Sequence, residues 1–351
     1  MITLRTASVA AALVVATAAC GDDAISDRAP DLAPSDVTFL VSLGAVADFG
    51  ATTDGGHGVL LPRERYDHVE ALTRIDEPDA LYENLDVVGV RLDPCFFEGT
   101  GDVICLPQVR LVMQPVFDEG GAPISRDATV HAFYDVPVGD VQRLADDLAR
   151  LRVAHDGSVT ISEHVAPEEA TALVLPHVGA DRLSRVTFVS VHASNEAWTF
   201  GGFDIIDGAV QDIIPPGVED HAQHLTSTGG TERLDASILP PPEIEAEAAL
   251  WLTELDREEM DADTEAEAIA GLERLLDPGA HNPGTVDCAS CHMATTGLYH
   301  AQMAQGGATA VPGVYANSQN QRMLGFFDRD PAISPRVEAE TLAVLEALDA
   351  L

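Results

Sequence analysis

The chain has 351 residues, of which 46% are hydrophobic, so it can build the core of one or two domains. Its charge is one-sided, with 58 acidic residues against 19 basic ones and a formal net charge of −39 at pH 7. No lysine occurs, so every basic residue is an arginine. Such an acidic surface repels phosphate groups, which argues against nucleic acids and anionic phospholipids as partners.

The first twenty residues predict an export signal. Arg5 precedes an apolar run over residues 9–19, which is too short to span a bilayer, and small residues lead up to Cys20. Small residues ending on a cysteine resemble the lipobox of bacterial lipoproteins. The resemblance implies a signal peptide over residues 1–19, a lipid on Cys20, and a periplasmic or cell-surface protein that touches the membrane only through this anchor. Simple export, with Cys20 as an ordinary thiol, is the alternative.

Residues 20–35 are polar and contain proline, as in a flexible tether. Residues 36–235 then predict a strand-rich domain, either a β-sandwich or an α+β sheet. Its strands are expected at residues 36–44, 86–92, 109–117, 128–136, 185–193, 197–206 and 210–214. Pro115 lies inside one of these segments and predicts an edge strand or a bulge. A helix capped by Asp140 is expected over residues 138–153.

A proline-rich linker with a helix follows over residues 236–263, and residues 264–351 are predicted to be helical. Thr264 and Ser334 are the expected caps of two amphipathic helices. The helices are predicted at 242–255, 264–278 and 334–351. Strands followed by helices across such a linker predict two domains.

The five cysteines divide into three groups. Cys95 and Cys105 lie in a short glycine-containing segment between two strands, and an oxidising compartment would let them form a disulfide. An odd number of cysteines is unusual in an exported protein. If Cys20 carries a lipid and the other two are paired, only Cys288 and Cys291 are left.

Residues 288–292 read CASCH, and this spacing is the attachment pattern of c-type haem. The thiols of Cys288 and Cys291 would add to the two vinyl groups of the porphyrin. The imidazole of His292, on the same helical turn, would bind the iron from one face. The sequence therefore predicts one covalent haem c.

With this motif, a loop region and a closing helix, residues 264–351 resemble a small all-α c-type cytochrome domain. The segment DPCFFEGTGDVICLPQVRLVMQPV is similar to the cysteine loop of uncharacterised bacterial lipoproteins that carry such a motif near the C terminus. The cytochrome resemblance implies a carrier of single electrons. Because the chain is so acidic, we expect its redox partner to present a basic patch.

The second axial ligand is predicted to be Met323, with Phe326 and Phe327 covering the haem edge. Met293 is too close to His292 to reach the opposite face of the ring. The alternative is that no residue of the protein binds the iron on its second face. Further candidates are His281, His300 and Met303.

Two other functions are consistent with the sequence. The motif would act as a disulfide or metal staple in a surface binding or scaffolding lipoprotein, although no second CxxC pair completes a zinc site. Alternatively, a haem with an open distal face would reduce peroxide or a similar oxidant. His221 and His224 are expected to be a solvated pair, and residues 54–58 a turn.

Overall fold

The computed structural model describes residues 30–73, 77–96, 106–157, 159–162, 164–192, 197–228, 231–234, 261–304, 306, 309–317 and 319–350. The signal peptide, Cys20, Cys105, the side chain of Cys95 and the linker helix over 242–255 lie outside the described residues. The predicted lipidation and the predicted disulfide therefore stay predictions.

The N-terminal part contains short helices and most of the strands. In chain order these are α1 (Pro34–Val37), β1 (Thr38–Leu40), β2 (Asp54–Gly55), β3 (Gly58–Val59), α2 (Arg63–Tyr66), α3 (Glu70–Thr73), α4 (Pro78–Glu83), β4 (Leu85–Phe96), β5 (Leu106–Asp118), β6 (Pro123–Ser125), β7 (Ala128–Asp135), α5 (Val138–Ala154), α6 (Pro167–Val174), β8 (Leu183–His192), β9 (Ala197–Ile206), β10 (Ala209–Asp212), β11 (Ala222–Thr228) and β12 (Thr231–Leu234).

The C-terminal part is mainly helical. Its elements are α7 (Ala262–Leu276), α8 (Cys288–Ala304), β13 (Leu324–Phe327), β14 (Asp330–Ile333) and α9 (Pro335–Asp349). None of the helices among the described residues is both long and apolar enough to cross a membrane.

A single antiparallel sheet of ten strands organises the N-terminal part. Its path is β1-β4-β5-β7-β8-β9-β11-β12, with β6 added beside β5 and β10 beside β9. The protein is therefore α+β, and the β-sandwich alternative is wrong. A strand lies in each predicted segment, because each segment alternates or concentrates β-branched and aromatic side chains between turn residues. The first strand is shorter than predicted, since residues 36 and 37 belong to α1 and β1 ends at residue 40.

The sequence predicts an edge strand or a bulge at Pro115. The edge strand is wrong, because β5 lies between β4 and β7, and the register shifts of the β4–β5 pairing lie elsewhere along the two strands. The pairing of β5 with β7 ends at Met113 and Val130. Pro115 comes after this point, where it is opposite Leu85 of β4. Proline has no backbone N–H to donate, but Pro115 does not pair with β7, so no hydrogen bond between β5 and β7 is lost.

Two of the three predicted helix caps differ from the structure. The N-cap of α5 is Pro137, and Asp140 lies in the first turn. Helix α7 begins earlier than predicted, because the carboxylate of Asp261 accepts a hydrogen bond from the Thr264 N–H. The prediction for α9 is confirmed, since the Ser334 hydroxyl accepts from the Val337 N–H.

The two faces of the sheet have different neighbours, because side chains alternate along each strand. On one face, Ala132 and Val186 belong to the main hydrophobic core together with Leu148 of α5. The opposite face carries Phe133 and Arg185, which are cross-strand neighbours on β7 and β8. This second face is called the cavity face below.

The C-terminal part packs on the cavity face at two places. Phe200 of β9 clusters with Leu272 of α7 and Met293 of α8. At the other end of the sheet, Leu324 clusters with Val112 of β5. The expectation of an all-helical C-terminal part is wrong, because β13 and β14 form an antiparallel hairpin there.

The hairpin is held by a buried glutamine of the sheet. Gln114 Nε2 donates to the Phe326 carbonyl at 3.0 Å, and the Phe326 N–H donates to Gln114 Oε1 at 2.7 Å. Gly325 allows this approach, because a Cβ at that position would lie 2.5 Å from Gln114 Oε1. The segment before β13, which contains Met323, is thereby fixed against the sheet.

Candidate functional site

A cavity of about 1320 Å³ lies between the cavity face and the C-terminal elements. Cys288, Cys291 and His292 all line it, and so does Met323. Ligand pockets of about 300–1,000 Å³ hold typical small molecules, so this cavity has room for a large prosthetic group. Cys288, Cys291 and His292 of the CASCH segment thus open onto one large cavity.

The floor of the cavity is made by two neighbouring rows of the sheet. In one row, Arg110 of β5 is opposite Phe133 of β7, which is opposite Arg185 of β8. In the next row, His131 of β7 stands between Val112 and Thr187; all six side chains line the cavity.

The start of α8 is tied to the sheet by two buried side chains. Asp287 Oδ1 accepts from the Ser290 N–H at 2.9 Å, as an N-cap residue does, and also from Gln223 Nε2 at 2.9 Å. Gln223 Oε1 in turn accepts from the Ala289 N–H at 3.1 Å. Both side chains are completely buried. They fix the helical turn that presents the two cysteines.

The His292 ring is oriented by a backbone carbonyl. Its Nδ1 lies 2.6 Å from the Gln321 oxygen. A carbonyl oxygen can only accept, so the proton lies on Nδ1 and Nε2 keeps its lone pair. Burial lowers the pKa of His292 below its ordinary value. This is the arrangement by which proteins prepare a neutral imidazole as a metal ligand.

The thiols of Cys288 and Cys291 are free and partly exposed. Burial raises the pKa of Cys288 to about 12, with a contribution from the charge of Asp287, and raises the pKa of Cys291 to about 11. Zinc-binding and redox-active cysteines have lowered pKa values, because the thiolate is the reactive form. The two thiols are therefore protonated at neutral pH.

The cavity is rich in arginine although the chain is strongly acidic. Four arginines line it, against three acidic residues. The basic residues are Arg91, Arg110, Arg185 and Arg336, and the acidic ones are Asp93, Asp287 and Glu340. Burial, together with the charge of Arg91, lowers the pKa of Arg110 to about 10. Each of the four arginines forms an ion pair with a carboxylate of the protein, and the partner of Arg185 is Asp204.

Sequence analysis missed His131 as a cavity residue. The residue is half-buried and lines the cavity from the middle of β7. Burial, reinforced by the charge of Arg110, lowers the pKa of His131 well below its ordinary value of 6.5. The alternation in ATVHAFYDV places Thr129, His131 and Phe133 on one face of the strand, and this pattern was the available signal.

Among the candidates for a second axial ligand, Met323 lines the cavity and the others do not. Met303 is 46% exposed on α8, and Met293 is buried in the cluster between α8 and β9. His300, also on α8, packs edge-on against Tyr299. His281 follows α7, and its carbonyl accepts from Arg336.

The weaker sequence candidates have ordinary structural partners. His221 contacts Glu70 at 3.2 Å, whereas His224 contacts the Thr199 hydroxyl at 3.1 Å, so the two rings do not share a ligand. Residues 54–58 form the tight β2–β3 turn, as predicted.

Within the part of the chain that the structure describes, no group of three or more His, Cys, Asp and Glu side chains is placed to hold a metal ion. Comparisons with protein-family models, with curated proteins and with solved structures find no match to this chain. The chemistry of the site is therefore argued from its own residues.

The ion pairs of Glu340 predict a pH-dependent stability. Burial alone would raise the pKa of this carboxylate, but Arg91, Arg336 and Arg110 lower it to about 2. A lowered pKa means that the carboxylate stabilises the folded state above pH 4.5, its ordinary pKa, and that this contribution is lost as the pH falls toward 2. We expect Glu340→Gln to lower the free energy of unfolding by about 3 kcal/mol at pH 7.

Urea denaturation of both proteins at pH 7, 5, 4 and 3 measures this difference, which should shrink as the pH falls. Glu346→Gln is the matched control, because Glu346 is an exposed residue of the same helix. A difference in unfolding free energy that stays constant from pH 7 to pH 3 would contradict the lowered pKa of Glu340.

Proposed function

We propose that the cavity holds one haem c, attached to Cys288 and Cys291 and ligated by His292, and that the protein transfers single electrons. The observation that carries the proposal is that both thiols and the imidazole of one CxxCH turn line a single cavity of about 1320 Å³. When bound, the haem supplies the one-electron chemistry. The chain positions the group, excludes water from it and tunes its charge.

The state of His292 supports this proposal. The Gln321 carbonyl holds the proton on Nδ1, so the Nε2 lone pair is available to iron. The Gln321 and Asn320 side chains are fully buried, and the Asn320 carbonyl accepts from the Thr296 hydroxyl of α8. The carbonyl that orients His292 therefore belongs to a segment that is itself hydrogen-bonded to the motif helix.

The staple alternatives have less support. A zinc site needs further Cys, His, Asp or Glu ligands, and no group of three or more such side chains is found among the described residues. The sulfurs of Cys288 and Cys291 are not joined to each other. Haem attachment needs no thiolate in the folded protein, because the thioether bonds are formed during maturation.

The arginines of the cavity provide a counter-charge for a haem. A haem carries two propionate groups, and the cavity-face row with Arg110 and Arg185 brings guanidinium groups to its floor. Within the protein, Arg110 pairs with Asp93 and Arg185 pairs with Asp204. An anionic group in the cavity would lower the cost of burying these cations.

The cellular setting that we propose rests on the N-terminal sequence and on net charge. A lipid on Cys20 would hold the carrier at the periplasmic or outer surface of a membrane. The charge of −39 favours a redox partner with a basic patch. Reduction by a cationic donor should then slow as salt rises, and a rate independent of salt would count against this partner class.

The haem is tested by absorption spectroscopy. After expression in a host that matures c-type cytochromes, the purified protein should have sharp covalent-haem bands, in both oxidised and dithionite-reduced forms. We expect Cys291→Ala to lose one thioether bond and most of the bound haem. Ser290→Ala, between the two cysteines, is the matched control and should keep the bands. A colourless wild-type protein from such a host would refute the proposal.

The role of the arginine row is tested by potentiometry. Arg110→Gln removes a positive charge beside the haem, so the oxidised form becomes relatively more stable and the reduction potential should fall. Arg150→Gln, at an exposed position of α5, is the control. An unchanged potential in Arg110→Gln would exclude Arg110 as a counter-charge.

The lipid anchor is tested by cell fractionation. We expect the wild-type protein in the membrane fraction. Cys20→Ser should be found instead either as a soluble protein or as a precursor that keeps its signal peptide. The precursor is distinguished by its larger mass. A wild-type protein that is soluble after export would support the alternative of simple secretion.

A further inference from the structure

We propose that His131, on the central strand β7, is the second axial ligand of the haem, on the side opposite to His292. This inference rests on the proposed function and goes beyond the motif, because it takes the second ligand from the sheet. Both residues line the same cavity, His292 from α8 and His131 from the cavity face.

His131 has a longer side chain than the neighbours in its cross-strand row. Its cross-strand neighbours are Val112 of β5 and Thr187 of β8, and beyond Thr187 the row continues with Gly202 of β9. All three are shorter than histidine, and glycine has no side chain. The imidazole therefore stands above its neighbours in this row.

His292 enters the cavity above a neighbouring row of the sheet. The His292 ring lies over the sheet at Phe200, with 5.4 Å between ring centroids. Phe200 belongs to the row of Thr129 and Val189, one two-residue step from the row of His131. Two strand spacings of about 4.8 Å and one step of about 7 Å separate the Cα atoms of Phe200 and His131 by roughly 12 Å.

His292, carried by α8, and His131, carried by β7, therefore line the cavity at neighbouring rows of the sheet. Among the described residues, no hydrogen bond to either ring nitrogen of His131 is found. Both ring nitrogens are accessible, since neither is among the buried side-chain atoms that lack a partner. A ligand inside the cavity would provide the partner that the protein itself does not.

Met323 is the competing ligand, and its surroundings give it a different role. It packs against the hydrophobic cluster that contains Val112 and Leu324. Its carbonyl accepts from the Ser334 N–H at 2.8 Å, which ties it to the start of α9. Apolar packing between the hairpin and the sheet accounts for this methionine without iron.

Ligation by His131 predicts a bis-histidine haem, which has a lower reduction potential than a histidine–methionine haem. We expect the EPR and near-infrared spectra of the oxidised wild-type protein to be those of low-spin bis-histidine ligation. His131→Gly should convert the haem to high spin, and added imidazole should restore low spin. A merely structural role of His131 would not give this rescue.

Three further variants complete the test. His131→Met should raise the potential and give a methionine-type near-infrared band. Met323→Leu should leave the low-spin spectrum unchanged, and so should His300→Ala, the matched control histidine on α8. If His131→Gly does not fold, His131→Met alone decides the question.

A histidine–methionine spectrum in the wild type that is lost in Met323→Leu would overturn His131 as the ligand and leave the haem itself in place. A high-spin wild-type haem would overturn it as well, in favour of an open distal face. Absence of covalent haem would instead refute the proposed function, so the two failures are distinguishable.

Discussion

The hydrogen bonds that tie the start of α8 to the sheet determine the geometry of the whole site. In the first turn of the helix, Gln223 accepts a hydrogen bond from the Ala289 N–H and Asp287 accepts one from the Ser290 N–H. Both accepting side chains are fully buried. If this contact were lost, the motif turn would have no fixed position above the sheet. With it, Cys288, Cys291 and His292 are presented to the cavity instead of to solvent.

Because of this contact, the N-terminal sheet is part of the site. The cavity has one wall from α8 and α9 and another from β5, β7 and β8. Burying Arg110 and Arg185 in that second wall has a free-energy cost, which their ion pairs with Asp93 and Asp204 offset.

The sequence predicted the parts of the fold that depend on local pattern. The strands and α9 follow from alternation and from the Ser334–Pro335 cap, and CASCH identifies the turn at the start of α8. Other features depend on residues far apart in the chain. Pro115 is tolerated inside the sheet because of where β7 stops pairing, which no local signal indicates.

The site was predictable only on its helical side. The contact between His292 and Gln321 uses a backbone carbonyl, which has no sequence signature. His131 was visible as one polar residue in an apolar strand, but only the register of β5, β7 and β8 brings it under the cavity. The hairpin of β13 and β14 was not predicted for the same reason. It is held by Gln114, which lies more than two hundred residues earlier in the chain.

Peptide mass spectrometry tests the central claim most directly. The mature protein, made in a host that attaches c-type haem, is digested after alkylation of free thiols. We predict a single peptide containing Cys288 and Cys291 that carries the mass of one haem, with neither cysteine alkylated. The same peptide recovered without haem, with both cysteines alkylated, would contradict the account.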